Sequence, residues 1–261
     1  GVVASGGMGI VLKGLDVALN RYVAVKVLAP HVATDGAARQ RFAREAKAAA
    51  AVVHDNVIPI YAVDAFKGLP YLVMPYIRGW SLQKRLSEQG PLSISEALRV
   101  AAQTAAGLAA AHAQGLVHRD IKPANLLLPE GVERVTITDF GLARAVDDRS
   151  VTRVGVIAGT PEFMSPEQAR GEDVDYRSDL FSLGSVIYAM CTGDVAFRAQ
   201  TSYGVLWQIS EREPVPMREL NDKVPQWLER VVAKLHAKRP SARFESAEEV
   251  ATVLNQCLAH T

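Results

Sequence analysis

Residues His118-Arg119-Asp120-Ile121-Lys122-Pro123-Ala124-Asn125, followed by Thr138-Asp139-Phe140-Gly141, are those best equipped for chemistry. An acidic residue, a lysine and an asparagine share one short loop, and a second acidic residue follows just downstream. That set suits the movement of a phosphoryl group. Asp120 can orient an attacking hydroxyl and accept its proton, and Lys122 can neutralise the migrating phosphate. Asn125 and Asp139 offer the hard oxygen ligands that magnesium takes. Near the start of the chain, Ala4-Ser5-Gly6-Gly7-Met8-Gly9-Ile10-Val11 is glycine-rich. Gly6 and Gly9 would let the backbone approach phosphate oxygens closely and turn N–H groups towards them. Lys26 lies in the apolar run Val23-Ala24-Val25-Lys26, so its charge needs a partner.

These residues must be positioned by elements that the pattern outlines. Ile10–Leu12 and Tyr22–Leu28 are β-branched apolar runs bounded by Asn20 and Pro30, and they predict strands. Val57–Val63 and Tyr71–Met74 predict two more. Ala37–Val52 has few breakers and clusters its charges on Arg39, Arg41, Arg44, Glu45 and Lys47, which predicts a helix lying on a sheet. After Gly79 the pattern turns helical, with helices over Ile94–Gln114, Asp179–Thr192 and Trp227–Leu235. Ser246 with Glu249 three residues on reads as a capping box opening a last helix to Cys257. Val135–Thr138 is a β-type run leading into Asp139.

The chain has 261 residues, enough for a large core in one domain or two lobes. Its net charge of +1 makes no case for nucleic acid or a membrane surface. Cys191 and Cys257 form neither a disulfide framework nor a metal cluster, which suits a reducing, cytoplasmic compartment. The longest apolar stretch, Ala101–Ala113, is interrupted by Gln103, Thr104 and His112 and reads as a buried helix. The chain begins without Met inside a glycine-rich turn, so the expectation is an excised or partial domain, with a membrane anchor elsewhere in the full-length protein left open.

These motifs, in this order, resemble the eukaryotic-like (Hanks-type) protein kinase superfamily, and within it the bacterial Ser/Thr kinases. The likeness runs from Val2 to about Val253. It implies an α+β, bilobal fold: a small sheet-rich N-lobe over residues 1–77 and a larger, mainly helical C-lobe over 78–261, joined near Pro75–Trp80. It implies ATP and magnesium, with manganese as a substitute, and Ser/Thr hydroxyls of proteins as acceptors. By the same resemblance Ala4, Gly6 and Gly9 cover the phosphates, with Ala4 standing where the family usually has glycine. Lys26 pairs with Glu45 and is held against the phosphates. Adenine sits against Val11, Ala24 and Leu127, next to the gatekeeper Met74. Pro75 contributes its carbonyl and Ile77 its N–H to the base. Pro75 replaces a residue that is commonly acidic, and proline keeps the carbonyl that this position uses.

Further along, the resemblance makes His118 part of a packed spine with Phe140, Ile60 and Ala49 and not an acid or base. Gly159-Thr160-Pro161-Glu162-Phe163-Met164-Ser165-Pro166-Glu167 resembles the Ser/Thr type, with Thr160 bonded to the catalytic aspartate and lysine. Phe163 stands where tyrosine is frequent. Glu167 should pair with a buried arginine, Arg243 or else Arg239. Asp179 should anchor the catalytic loop from below. Arg119 beside the catalytic aspartate implies activation by phosphorylation between Gly141 and Ser165, with Thr152 and then Ser150 as candidates and a transient homodimer for self-modification. The alternative is a pseudokinase scaffold that binds nucleotide without catalysis. Such scaffolds usually lack one of the lysine, the catalytic aspartate or the metal aspartate, and here Lys26, Asp120, Asn125 and Asp139 are all present. A small-molecule phosphotransferase would lack the peptide-docking segment that ends at Glu167.

Overall fold

The structure is a computed structural model and describes residues 1–6, 9–34, 36–129, 134–140 and 161–259. Gly7, Gly141, Ser150, Thr152 and Thr160 lie outside the described residues.

The first part is a five-stranded antiparallel sheet: β1 (Val2–Gly6), β2 (Gly9–Asp16), β3 (Arg21–Leu28), β4 (Ala62–Phe66) and β5 (Leu69–Pro75), in the order β1-β2-β3-β5-β4. A short α1 (Pro30–Ala33) and the longer α2 (Gly36–Ala50) interrupt it. Phe42 of α2 is fully buried against Ala24, Leu28, Leu72 and Met74 of the sheet, forming the smaller of two apolar cores. Burying a side chain of that size contributes about 1.5–3 kcal/mol, which is what holds α2 on the sheet.

The second part opens with a three-stranded sheet, β6 (Gly79–Ser81), β7 (Leu126–Pro129) and β8 (Thr136–Ile137). Helices follow: α3 (Leu82–Gln89), α4 (Ile94–Ala113), α5 (Pro166–Arg170), α6 (Arg177–Thr192), α7 (Ser202–Glu211), α8 (Met217–Leu220), α9 (Gln226–Leu235) and α10 (Ala247–Leu258). The helix α4 packs on α6 and α10 in the larger core. It starts at a reciprocal cap, in which Ser93 Oγ accepts from Glu96 N and Glu96 Oε2 accepts from Ser93 N. At α10 the box is incomplete. Ser246 Oγ accepts from Glu249 N, but Glu249 Oε2 accepts from Glu245 N at 2.8 Å.

One strand expectation fails. Val57–Val63 is not a strand; β4 starts only at Ala62. The reason is that residues 56–58 are strapped to the other sheet. Ile58 N donates to Ile137 O, Ile137 N donates to Asn56 O, and Asn56 Nδ2 donates to Val135 O. Gln103 of α4 accepts from both Asn56 Nδ2 and Val135 N, so its polar group inside an apolar helix is bonded and not a defect. Gly107 lets α4 come close at this point, because a Cβ there would lie 2.8 Å from Ile137 Cδ1. This strap sets the height of β8, and β8 leads directly to Asp139.

Candidate active site

The loop over residues 118–125 is held from below by one carboxylate. Asp179, fully buried on α6, accepts the backbone N–H of His118 at 2.8 Å and of Arg119 at 2.7 Å, and meets His112 Nε2 at 2.8 Å. Arg119 has φ 67, a left-handed conformation that costs a non-glycine residue energy. Its peptide is pinned on both sides, since Gln168 Nε2 of α5 donates to Arg119 O at 2.7 Å. The arginine is thereby forced into the loop's turn. Sequence reasoning anticipated Asp179 but missed His112 and Gln168. The one visible signal for His112 was a polar residue interrupting an apolar helix.

His118 is buried, and its ring serves packing and hydrogen bonds. Its Nδ1 accepts from Asp120 N at 3.2 Å and its Nε2 meets Thr138 O at 2.8 Å. A carbonyl can only accept, so a neutral ring protonated on Nε2 satisfies both. The ring lies 4.6 Å from that of Phe140.

Asp120, Lys122 and Asn125 converge. Lys122 Nζ lies 2.8 Å from Asp120 Oδ2, and Asn125 Nδ2 donates to Asp120 O at 2.7 Å and to Asp120 Oδ2 at 3.0 Å. Thr138 N donates to Asn125 O at 3.0 Å, which ties this loop to the segment carrying Asp139.

Asp139 also has φ 67, and its Oδ1 lies 2.8 Å from Lys26 Nζ of β3. Burial alone would push its carboxyl pKa up, but the Lys26 ammonium overrides this, and Lys122 adds to the pull, so the pKa falls below the ordinary value. Lys26 is therefore paired with Asp139 and makes no ion pair with Glu45. A buried ammonium takes the carboxylate within reach. Glu45 instead lines a recess between α2 and the catalytic loop, together with Arg44, Ala48, Leu116 and Arg119.

On the nucleotide side, Gly6 and Gly9 face each other across the β1–β2 turn, and Ala4 faces Val11. Gly9 has φ 145, and a Cβ there would fall 2.0 Å from Val27 O, so the protein's own packing demands glycine. Among the described residues nothing lies within 4 Å of a Cβ built at Gly6. That open space above the sheet suits the close approach of a phosphate. Ala24 and Met74 are register partners on β3 and β5, Pro75 faces Val23, and Val11 and Ile77 pack on the same small core. Leu127 comes from β7 in the second sheet and is not part of that cluster.

The segment after the described gap is anchored by a buried ion pair. Arg243 Nη1 and Nη2 reach Glu167 Oε1 and Oε2 at 2.7 and 2.8 Å, and Ser178 Oγ also donates to Glu167. Arg243 is the expected partner, while Arg239 only precedes the 3₁₀ turn at Pro240–Ala242. Burial would raise the Glu167 pKa, but the hydrogen bonds from Arg243 and Ser178 bring it down. Ser182 Oγ, not anticipated, donates to Phe163 O at 2.7 Å.

The arrangement brings two carboxylates, two lysines and an asparagine together where the five-stranded sheet meets the second sheet and its helices. Residues 1–260 match the family described as Protein kinase domain, and the chain belongs to that family. It has the protein kinase fold, and membership of that family implies ATP and a divalent metal. The PknI kinase domain of Mycobacterium tuberculosis superposes with a TM-score of 0.80 at 26% identity, covering 100% of this chain and 94% of that one. The chain is 38% identical over 255 residues to the serine/threonine-protein kinase PknB of Mycobacterium tuberculosis, covering 95% of this chain and 41% of PknB. It is 34% identical over 249 residues to PrkC of Bacillus subtilis, a serine/threonine-protein kinase, covering 95% of this chain and 38% of PrkC. The chain thus spans about two fifths of the length of these curated relatives. No helix among the described residues is long and apolar enough to cross a membrane.

Proposed function

We propose that this chain is the catalytic domain of a serine/threonine protein kinase, with residues 1–77 and 78–261 as its lobes. The observation that carries the reading is the joint hold of Lys122 and Asn125 on Asp120 Oδ2. Among the described residues both contacts fall on one oxygen, which leaves Asp120 Oδ1 to accept the hydrogen bond of an acceptor Ser or Thr hydroxyl and then its proton. Lys122 stands beside the oxygen on which charge develops. Asn125 donates through its nitrogen, which turns its Oδ1 away from Asp120 and towards a metal.

Asp139, kept ionised by Lys26, is the second oxygen donor. No three His, Cys, Asp or Glu side chains converge among the described residues, so Asn125 and Asp139 are a partial set of the kind magnesium completes with phosphate oxygens and water. The metal, magnesium in our reading and manganese as its substitute, neutralises charge on the phosphates when bound. Lys26 holds the phosphates from the sheet side, and Glu45 is the carboxylate that would take up Lys26 if α2 moved inwards. The base lies among Val11, Ala24, Met74 and Leu127, bonded to backbone groups of Pro75 and Ile77, with Ala4, Gly6 and Gly9 above the phosphates.

Arg119, held in its turn, is the cation for a phosphate on Thr152 or Ser150. Thr160, outside the described residues, is proposed to bond Asp120 and Lys122, as the family resemblance implies. Self-modification of this kind calls for a transient pairing of two copies. The test is transfer of the ATP γ-phosphate to a Ser/Thr protein, compared with tyrosine-only peptides and free small alcohols. Asp120→Asn should lower kcat by about 10²–10⁴-fold with nucleotide binding intact. Nucleotide binding by the unaltered chain without any transfer would instead identify a scaffold.

A further inference from the structure

A second concave region lies away from the cleft, between α3, the start of α4 and the edge formed by β6 and β7. It consists of two adjoining recesses of about 170 and 360 Å³ that share Arg85 and Leu128. The floor is apolar, made by Leu92, Val100, Leu128 and Trp80, and Trp80 remains 39% exposed. The rim is basic, with Arg85, Arg99 and Arg134, and Lys84 Nζ stands 4.9 Å over the Trp80 ring.

Among the described residues this rim carries an excess of positive charge. Among the described lining residues the single carboxylate is Glu96. Its Oε2 is engaged by the N–H and hydroxyl of Ser93, which together with Arg85 and Arg99 hold it ionised. It therefore serves the helix cap. Arg85 is preset, because its Nη1 donates to Gly90 O at 3.0 Å.

The recesses are small or at the lower end for a drug-sized ligand, which needs about 300–1,000 Å³. They suit single side chains. Fixed guanidinium groups around apolar pockets match carboxylates flanking bulky apolar residues. A nucleic acid would gain little from recesses of this size, and three rim arginines are few phosphate contacts. Position also matters. Leu127 and Leu128 are successive residues of β7, paired with Ser81 and Trp80, so their side chains project to opposite faces. Leu127 is the adenine candidate, so a segment lying over Leu128 leaves the cleft open.

We propose that this groove docks acidic–apolar peptide segments of protein substrates, tethering them while a separate Ser or Thr reaches the cleft; the tethering role rests on the kinase reading. The test uses one Ser-containing acceptor peptide in three forms: alone, linked flexibly to the tail Asp-Glu-Leu-Glu-Leu-Asp, and linked to Lys-Arg-Leu-Lys-Leu-Lys. The acidic tail should lower KM about tenfold at unchanged kcat, and the basic tail should not. Arg85→Glu and Arg134→Glu should each weaken this advantage and together abolish it, with the untailed peptide's kinetics unchanged. Arg134 is exposed, so its variant keeps the fold if Arg85→Glu does not.

Anisotropy of the fluorescein-labelled acidic tail reads binding without turnover, with a single-stranded RNA 12-mer as competitor. An acidic tail that gives no KM advantage and no binding overturns the proposal. So does an advantage that survives both charge reversals, or binding of the RNA in place of the tail. Tail binding that is lost on charge reversal, in a protein that phosphorylates nothing, leaves the groove standing and removes the kinase reading instead.

Discussion

The Asp179 carboxylate accepts the N–H of Arg119 at 2.7 Å across 60 residues of chain, and with that bond helix α6 holds the loop over residues 118–125 in a conformation the loop would not adopt alone. The same carboxylate holds His118 N and His112 Nε2. Hydrogen bonds to a charged group are worth about 1.5–3 kcal/mol. Asp179→Asn keeps the shape but puts an amide N–H against one of these donors. It should lower thermal stability by several degrees and kcat by more than about tenfold at near-constant KM for ATP. A melting curve and steady-state kinetics check this; full activity in the variant would separate the loop's geometry from Asp179.

Arg243→Leu removes the only cation bonded to Glu167 among the described residues and leaves a buried carboxylate. The cost should be about 3–5 kcal/mol, measured by denaturant unfolding at pH 7. The Glu167 pKa is lowered in the folded state, so the pair's stabilisation is fully present above the ordinary carboxylate value of 4.5. It is lost as pH falls through the lower folded value. The difference in stability between the native chain and Arg243→Leu should therefore shrink in acid.

His236 behaves in the opposite sense to a salt-bridged histidine. Burial, with Lys238 and Arg243 nearby, pushes its pKa down to about 3 from 6.5. It bonds Ser185 Oγ at 3.0 Å as a neutral ring. Between pH 6.5 and about 3 the unfolded chain takes up a proton that the folded one does not, so stability falls as pH falls. The contribution reaches about 1.4 kcal/mol per pH unit. His236→Gln should lack that slope, read from denaturant midpoints at pH 7, 5.5 and 4.5, whatever its absolute stability.

The two glycines of the β1–β2 turn should fail differently. Gly9→Ala drives a Cβ into Val27 O and should destabilise the sheet by more than about 1 kcal/mol. Gly6→Ala meets nothing among the described residues, so its melting temperature should stay close to native while KM for ATP rises several-fold. Equal losses of stability would show that Gly6 serves the fold and not a ligand.

Much of the fold was legible because strands and helices write their own period. The span of α4, the strands β2 and β3 and the Ser246 cap followed from apolar spacing and cap residues within each segment. Residues 57–61 did not. An apolar run reads as a strand, but whether it pairs within its own sheet depends on partners, and here Asn56, Val135 and Ile137 claimed it. The choice of Arg243 over Arg239 for Glu167 was likewise only a ranking until the helices packed.

Residue type and order alone placed Asp120, Lys122, Asn125 and Asp139 in one kit, since their chemistry is intrinsic to the side chains and their spacing is short. Which charge answers Lys26, which carboxylate supports Arg119 and where a basic rim meets an apolar floor were decided only by tertiary structure. Those relations join residues tens of positions apart. Burial then makes each pairing a matter of distance and desolvation, which no local pattern records.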